Sequence, residues 1–213
     1  MDKFTVIIPT IWKSEYTLEL IKRYCDCDSV DEIILINNRP EDTPVLMENA
    51  KLKVYHMSEN IFVNPAWNYG VTLAKNNYIT ISNDDILFDV DEYYYLLNQT
   101  ISQIPLENLG YIGSHSQNYI ISENKSPVLE EYDNNSNKGG WGCLFSFHKQ
   151  NWKPIPNQLK IWYGDNWIHM VIRPILQLSG INIETRMSTS SDLEEIRSVR
   201  DNDTKEWHKL LSV

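Results

Sequence analysis

Residues 78–85, Tyr78-Ile79-Thr80-Ile81-Ser82-Asn83-Asp84-Asp85, are the stretch that decides the fold. The first five residues form an apolar, β-branched run of the kind that is buried on both faces of a parallel sheet. The run ends in two adjacent carboxylates, which are costly at the end of a buried strand unless a cation or dense hydrogen bonding compensates them. The stretch therefore predicts a buried strand that brings polar groups to one edge of a sheet.

Similar runs occur twice closer to the N-terminus, separated by a helical pattern. Phe4–Ile8 is one, and we expect Pro9 to stop it; Ile33–Ile36 is the other, and Leu52–His56 is a weaker third strand. Helices are predicted to begin at Ser14 and at Asn64-Pro65, because both positions offer capping residues. This alternation predicts an α/β domain with parallel strands and a ligand crevice at their carboxyl ends.

The second half of the chain is less regular. Strands are predicted at Tyr111-Ile112, Tyr119–Ile121 and Cys143–Phe147, with a long polar loop over Ser122–Lys138. Helices are predicted to begin near Asp165 and, from capping-box spacing, at Ser191. We find no repeat and no linker, so we expect residues 1–213 to form a single domain.

Composition excludes several function classes. The 213-residue chain has a net charge of −10, which argues against a nucleic-acid partner because duplex binders need a basic face. Three cysteines are too few for a disulfide framework and suit a reducing compartment. The sequence has no apolar stretch of about 18 residues, so we expect no membrane span and a soluble, cytosolic protein.

Two carboxylate motifs carry the chemistry. Asp84-Asp85 at a strand end could hold Mg²⁺ or Mn²⁺ bridging a pyrophosphate, although a turn or helix cap also favours these residues. Asp165 stands among Trp162, Tyr163 and Trp167 at a predicted helix start. Aromatic faces stack on sugar rings, and a carboxylate among them could act as a general base; a helix N-cap is the alternative.

Taken together, these motifs resemble the GT-A glycosyltransferases, and within them the inverting family 2. Phe4–Thr10 is similar to the opening strand and nucleotide-binding turn, and Ala66-Trp67-Asn68-Tyr69-Gly70 to the stretch written ARNxG. Asn83-Asp84-Asp85 stands at the position of the metal-binding DxD element, Gly139–Phe147 resembles the glycine-rich strand near the sugar, and Gly164-Asp165 resembles the catalytic ED pair. The chain also resembles chlorella-virus glycosyltransferase domains implicated in capsid glycosylation, which would place it in a host cytoplasm.

The resemblance implies a Rossmann-like GT-A fold with a mostly parallel central sheet, flanking helices and a smaller acceptor-side β element. It implies a nucleotide-binding half over about residues 1–90 and an acceptor-binding half over about 91–213. The partners would be a nucleoside diphosphate sugar and a glycan acceptor, and the cofactor Mn²⁺ or Mg²⁺. Asp165 would be the catalytic base and Asp85 a metal ligand. Donor contacts are expected from the following residues: Pro9, Thr10, Ile11, Asn38, Arg39, Asn68, Asn83 and Asp84.

Three positions depart from the family pattern, and one candidate ligand lies outside it. Asn83 replaces the first Asp of the metal motif, Gly164 replaces the Glu of the ED pair, and Trp67 replaces an Arg. The last change leaves phosphate neutralisation to the metal and to a basic group that the sequence does not identify. His208, near the C-terminus, is a candidate additional metal ligand, although a lone His beside a Trp also fits an amphipathic tail.

Two other functions remain open. A sugar-phosphate nucleotidyltransferase normally carries a glycine-rich, basic loop after the first strand, but residues 9–13 contain no glycine. A non-catalytic carbohydrate-binding module could use the 7 Trp and 12 Tyr residues for stacking. Such a module needs neither a metal at Asp85 nor a base at Asp165, so donor turnover distinguishes it from a transferase.

Overall fold

The computed structural model describes residues 2–132, 140–186 and 193–212. The helices are α1 (Thr17–Asp26), α2 (Val63–Leu73), α3 (Val90–Gln103), α4 (Gly164–Val171) and α5 (Glu194–Leu211). The strands are β1 (Phe4–Thr10), β2 (Val30–Asn37), β3 (Leu52–His56), β4 (Tyr78–Ser82), β5 (Ile86–Phe88), β6 (Tyr111–Ser114), β7 (Leu129–Glu131), β8 (Leu144–His148), β9 (Ile175–Leu178) and β10 (Ile183–Thr185).

The described strands form one large sheet in the order β3-β2-β1-β4-β8-β6-β9-β7 and a small antiparallel pair, β5 with β10. Strands β3, β2, β1 and β4 are parallel, so their carboxyl ends meet at one edge. Strand β8 then runs antiparallel between β4 and β6. The predicted α/β class, with a mostly parallel sheet and a smaller β element, is confirmed.

Both faces of β1, β2 and β4 are buried because consecutive side chains enter different apolar clusters. Val6 and Ile8 of β1 pack with side chains of α1 and α3, whereas Ile7 packs on the opposite face with Trp67 and Val71 of α2. All three β1 residues are fully buried, and each such side chain stabilises the fold by roughly 1.5–3 kcal/mol. This explains why the strands are continuous apolar runs rather than alternating ones.

The glycine of the predicted ARNxG-like stretch is required by packing between α2 and β1. A Cβ on Gly70 would lie 2.4 Å from Cγ2 of Ile7. Helix α2 therefore approaches the sheet more closely than any side chain at this position would allow.

Several predicted boundaries are wrong. Strand β1 continues through Pro9 to Thr10, because pairing with β2 extends to Thr10 while the ladder with β4 ends at Ile7. Helix α1 begins at Thr17 rather than at a Ser14 cap; the Ser14 hydroxyl instead accepts the Tyr16 N–H at 3.1 Å. Helix α2 begins at Val63, before the expected Asn64-Pro65 start.

The second half departs further from the prediction. Tyr119–Ile121 is not a strand, since a short 3-10 turn over Ser116–Tyr119 occupies this region. Within the predicted loop Ser122–Lys138, residues Leu129–Glu131 form edge strand β7. Residues 133–139 and the predicted cap Ser191 lie outside the described residues. Helices of the described ranges are all too short or too polar to cross a membrane.

Candidate active site

The carboxyl ends of β1 and β4 open onto a cavity of 530 Å³. One wall, which we call the strand-end wall, consists of Pro9 and the turn Asn83-Asp84-Asp85. The opposite wall, which we call the helical wall, consists of Ile161, Trp162, Tyr163, Asp165 and Asn166 together with Ile196 and Arg200 of α5. The predicted metal-binding turn and the predicted base Asp165 therefore line the same cavity.

A smaller pocket of 80 Å³ shares Pro9 and Asp84 with the cavity and extends to the ends of β1 and β2. It is lined there by Thr10, Ile11 and Asn38. The Asn38 side chain accepts the Ile61 N–H at 3.2 Å, so the loop after β3 is tied to this pocket. Four of the predicted donor-contact residues thus lie at one end of a continuous groove.

Hydrogen bonds to neighbouring elements fix the turn at the end of β4. The Asn83 N–H donates to the Cys143 carbonyl at 2.8 Å, and Oδ2 of Asp84 accepts the Thr10 hydroxyl at 2.6 Å. Burial raises the pKa of Asp84 to about 7; the Thr10 hydrogen bond opposes this rise and the neighbouring Asp85 charge adds to it. The Asp84 carboxylate is thereby held against β1.

Asp85 is the carboxylate of this turn that fits a metal ligand. Its side chain is buried with 8% exposure and lines the larger cavity, while its carbonyl accepts the Thr185 hydroxyl at 3.1 Å. The ranges that the structure describes contain no group of three or more His, Cys, Asp or Glu side chains arranged to hold a metal. Mg²⁺ is commonly held by one or two carboxylates, waters and substrate phosphates, and a single buried carboxylate at the cavity wall fits that mode.

Asp165 lies in the first turn of α4, a helix that begins directly after a left-handed residue, Tyr163, with φ 66°. Its Oδ1 accepts the Asn166 N–H at 3.0 Å. Burial raises the pKa of the Asp165 carboxyl above its ordinary value of 3.8. A raised pKa suits a group that must take a proton during reaction.

Close packing requires glycine at two positions near Asp165. A Cβ on Gly142 would stand 3.2 Å from Cβ of Asp165, and a Cβ on Gly164 would stand 2.2 Å from Oδ1 of Asn64. The second contact explains the departure from the ED pair, because no side chain fits at position 164 while Asn64 occupies its place. Asn64 is fully buried and donates to the carbonyls of Leu159 and Trp162.

Asp203 on α5 is a site residue that the sequence reasoning missed. Its fully buried carboxylate accepts the backbone N–H groups of Lys160, Ile161 and Trp162 at 2.8–3.1 Å. It therefore fixes the segment that forms the helical wall. The available signal was a carboxylate seven positions after Ile196, a spacing that places both residues on one face of a helix.

Three predicted site residues do not line the cavity or the smaller pocket. Arg39 forms ion pairs with Glu195 of α5 and with Asp42. The Asn68 side chain bonds the backbone of Ile155 in both directions, at 2.8 and 2.9 Å. His208 is exposed on α5, two turns beyond Arg200. Arg39 and Asn68 thus hold the structure around the site, and the ligand role predicted for His208 finds no support in its position.

Residues 5–105 match the model for glycosyl transferase family 2. The matched region runs from β1 to the end of α3, slightly under half of the chain, and includes the Asn83-Asp84-Asp85 turn. No curated protein sequence matches the chain.

Solved structures show the same fold. TarS of S. aureus, residues 1–349 in complex with UDP, aligns with a TM-score of 0.59 at 15% identity over 85% of this chain and 59% of that one. The same protein in complex with UDP-GlcNAc aligns at 0.57 and 14% identity, over 92% of this chain and 64% of that one. The chain thus spans about 60% of these TarS structures.

A third match is the mannosyltransferase PcManGT from Pyrobaculum calidifontis in complex with GDP-Man and Mn²⁺. It aligns with a TM-score of 0.51 at 11% identity, over 82% of this chain and 56% of that one. These likenesses bear out the GT-A fold.

Proposed function

We propose that this chain transfers a sugar from a UDP-sugar to a hydroxyl of a glycan acceptor, with inversion and with Mn²⁺ or Mg²⁺ as cofactor. The observation that carries the proposal is that Asp85 and Asp165, which are 80 positions apart in the sequence, line one 530 Å³ cavity. The family 2 match and the UDP and UDP-GlcNAc complexes of TarS support the choice of donor.

The smaller pocket would take the nucleoside of the donor. Pro9, Thr10, Ile11 and Asn38 surround it at the strand ends, where α/β folds commonly bind nucleotides. The diphosphate would then extend along the turn at Asn83-Asp84-Asp85 into the larger cavity. Asp85 would hold the divalent cation together with diphosphate oxygens, and that cation would neutralise the charge that develops on the leaving group.

Asp165 would act as general base. Its carboxylate would accept the proton of the acceptor hydroxyl while the oxygen forms a bond to the anomeric carbon of the donor. The bond from that carbon to the diphosphate oxygen breaks in the same step, so the products are a glycoside with inverted configuration, UDP and a protonated Asp165. Burial favours this protonated form, as the raised pKa indicates.

Isothermal titration of UDP with and without Mn²⁺ tests the donor site. We expect metal-dependent binding by the wild type, loss of the metal dependence in Asp85→Ala, and normal binding in Glu107→Ala, a control that removes one exposed carboxylate. Absence of UDP binding under both conditions would refute the proposal.

Turnover separates a transferase from a carbohydrate-binding module. UDP release from UDP-sugars is expected with the wild type and not with Asp165→Asn, and the product anomer, read by NMR, tests inversion. A protein that binds glycans but neither binds UDP nor releases it from donors would be a binding module.

A further inference from the structure

The proposed donor brings a charge problem to this cavity. The chain carries a net charge of −10, and the cavity wall itself contains Asp84, Asp85 and Asp165. A diphosphate entering such a site needs positive charge nearby, because the overall field repels it. The position at which the family resemblance expects an Arg is Trp67, whose ring packs edge-on against Phe145 with centroids 5.4 Å apart.

Arg200 of the C-terminal helix α5 places a positive charge at the cavity. Within the described residues it is the Lys or Arg that lines the 530 Å³ cavity, and it stands one helical turn from Ile196, which lines the same wall. Its guanidinium carbon lies 5.9 Å from the centroid of the Trp162 ring, another wall residue. Cation–π contact of this kind orients a guanidinium without neutralising its charge.

The guanidinium of Arg200 is available for an anionic ligand. The described residues contain no carboxylate in ion-pair contact with it, whereas Arg39 is paired with Glu195 and Arg186 with Glu15. Arg is also the side chain best matched to phosphate oxygens, since its planar fork donates two parallel hydrogen bonds.

Helix α5 presents Arg200 from a fixed position. Asp203 anchors the helix to the backbone of residues 160–162, and Trp207 stacks on Tyr163 with ring centroids 5.4 Å apart and planes 6° from parallel. The N-terminal end is tied to the segment that follows β2 through the Arg39–Glu195 ion pair. The contacts on both sides of Arg200 therefore hold this part of the helical wall in place.

We propose that Arg200 binds the diphosphate of the nucleotide donor and supplies, from the C-terminal helix, the charge that Trp67 lacks. This inference rests on the proposed function, because it assumes a nucleoside diphosphate in the cavity. It assigns a donor-binding role to α5, which lies outside the family 2 match.

Titration of UDP and of uridine in the presence of Mn²⁺ tests this assignment. Arg200→Met removes the charge and keeps a long stem over Trp162; Lys205→Met removes an exposed charge from another face of α5. We expect Arg200→Met to weaken UDP binding by about 10- to 100-fold, the effect of one charge-assisted hydrogen bond, and to leave uridine binding unchanged. Arg200→Lys should recover part of the loss, and Lys205→Met should bind UDP like the wild type.

The outcomes separate this inference from the function on which it rests. Wild-type UDP binding with equal affinity in Arg200→Met overturns the role of Arg200 and leaves the donor site standing. An equal loss of UDP and uridine binding in Arg200→Met also overturns it, because the residue would then be structural. A wild type that binds no UDP refutes both.

Discussion

The strand-end wall and the helical wall of the cavity hold their polar groups by different means. At the strand-end wall, backbone pairing between β1, β2 and β4 positions the chain, and side-chain hydrogen bonds such as Thr10 to Asp84 adjust it. At the helical wall, the segment of residues 160–162 has no sheet partner and is held by the carboxylate of Asp203, with a further bond from Asn64 to the Trp162 carbonyl. The first wall should therefore tolerate the loss of one side chain better than the second.

The largest effect is expected at the reacting group of the helical wall. Asp165→Asn should lower the rate of sugar transfer by about 10²- to 10⁴-fold, the usual contribution of a general base. UDP binding should stay near the wild-type level, because the amide keeps the size of the carboxylate. Steady-state kinetics and UDP titration check the two parts, with Asp201→Asn, an exposed position on α5, as control. A loss of less than tenfold would rule out Asp165 as the base.

Loss of Asp203 should be the largest effect on stability. Asp203→Ala leaves three partly buried backbone N–H groups without their acceptor, and we expect the free energy of unfolding to fall by about 3 kcal/mol. Urea denaturation of this variant beside Asp201→Ala measures the difference. Equal stability of the two variants would mean that the helical wall does not depend on this carboxylate.

The next largest loss of stability is expected from disturbing the contact between Gly164 and Asn64. Gly164→Ala places a Cβ 2.2 Å from Oδ1 of Asn64, and we expect a loss of about 2 kcal/mol from the resulting overpacking. In an Asn64→Ala background the same substitution should cost clearly less, because the obstructing atom is gone. Identical losses in both backgrounds, measured by urea denaturation, would contradict this explanation of the missing Glu.

Removing a hydrogen-bonding side chain at the strand-end wall should cause a smaller loss of stability. Thr10→Val removes the hydroxyl that Asp84 accepts and should lower the free energy of unfolding by about 1 kcal/mol, since the sheet still holds β1 and β4 in place. Thr72→Val on the exposed side of α2 is the control. If Thr10→Val destabilised the protein as much as Asp203→Ala, the contrast between the walls would be wrong.

The sequence alone predicts the strand-end wall better than the helical wall, because strands of the sheet position the strand-end wall. Tyr78–Ser82 agrees with the observed strand residue for residue, because a strand buried on both faces leaves a continuous apolar run. Leu52–His56 also agrees with its strand, although it is partly exposed and its pattern alternates. The turn Asn83-Asp84-Asp85 follows Tyr78–Ser82 directly, so its place at the sheet edge is fixed once that strand is known.

The helical wall depends on contacts between segments far apart in the chain. Asp203 reaches residues that precede it by 41 to 43 positions, and in the sequence it is one more charge in a polar helix. Arg200 gives the same weak signal. Asn68 lies inside a recognisable motif, and in the structure its side chain holds the backbone of Ile155.

The smallest expected effect is on the pH dependence of stability, which measures how strongly burial penalises the charged form of Asp165. Burial raises its pKa in the folded protein above 3.8, so the charged form is less favourable in the folded state than in the unfolded state. The stabilising contribution of protonated Asp165 is therefore lost as pH rises from below 3.8 through the raised pKa, and Asp165→Asn, whose side chain does not titrate, has no such loss at this position. The melting temperature of Asp165→Asn minus that of the wild type should increase as pH rises through this range. The difference should then stay constant above the raised pKa. A difference that does not change with pH would mean that the Asp165 carboxylate is not penalised by burial, and that its readiness to take a proton must then come from the bound substrates rather than from the fold.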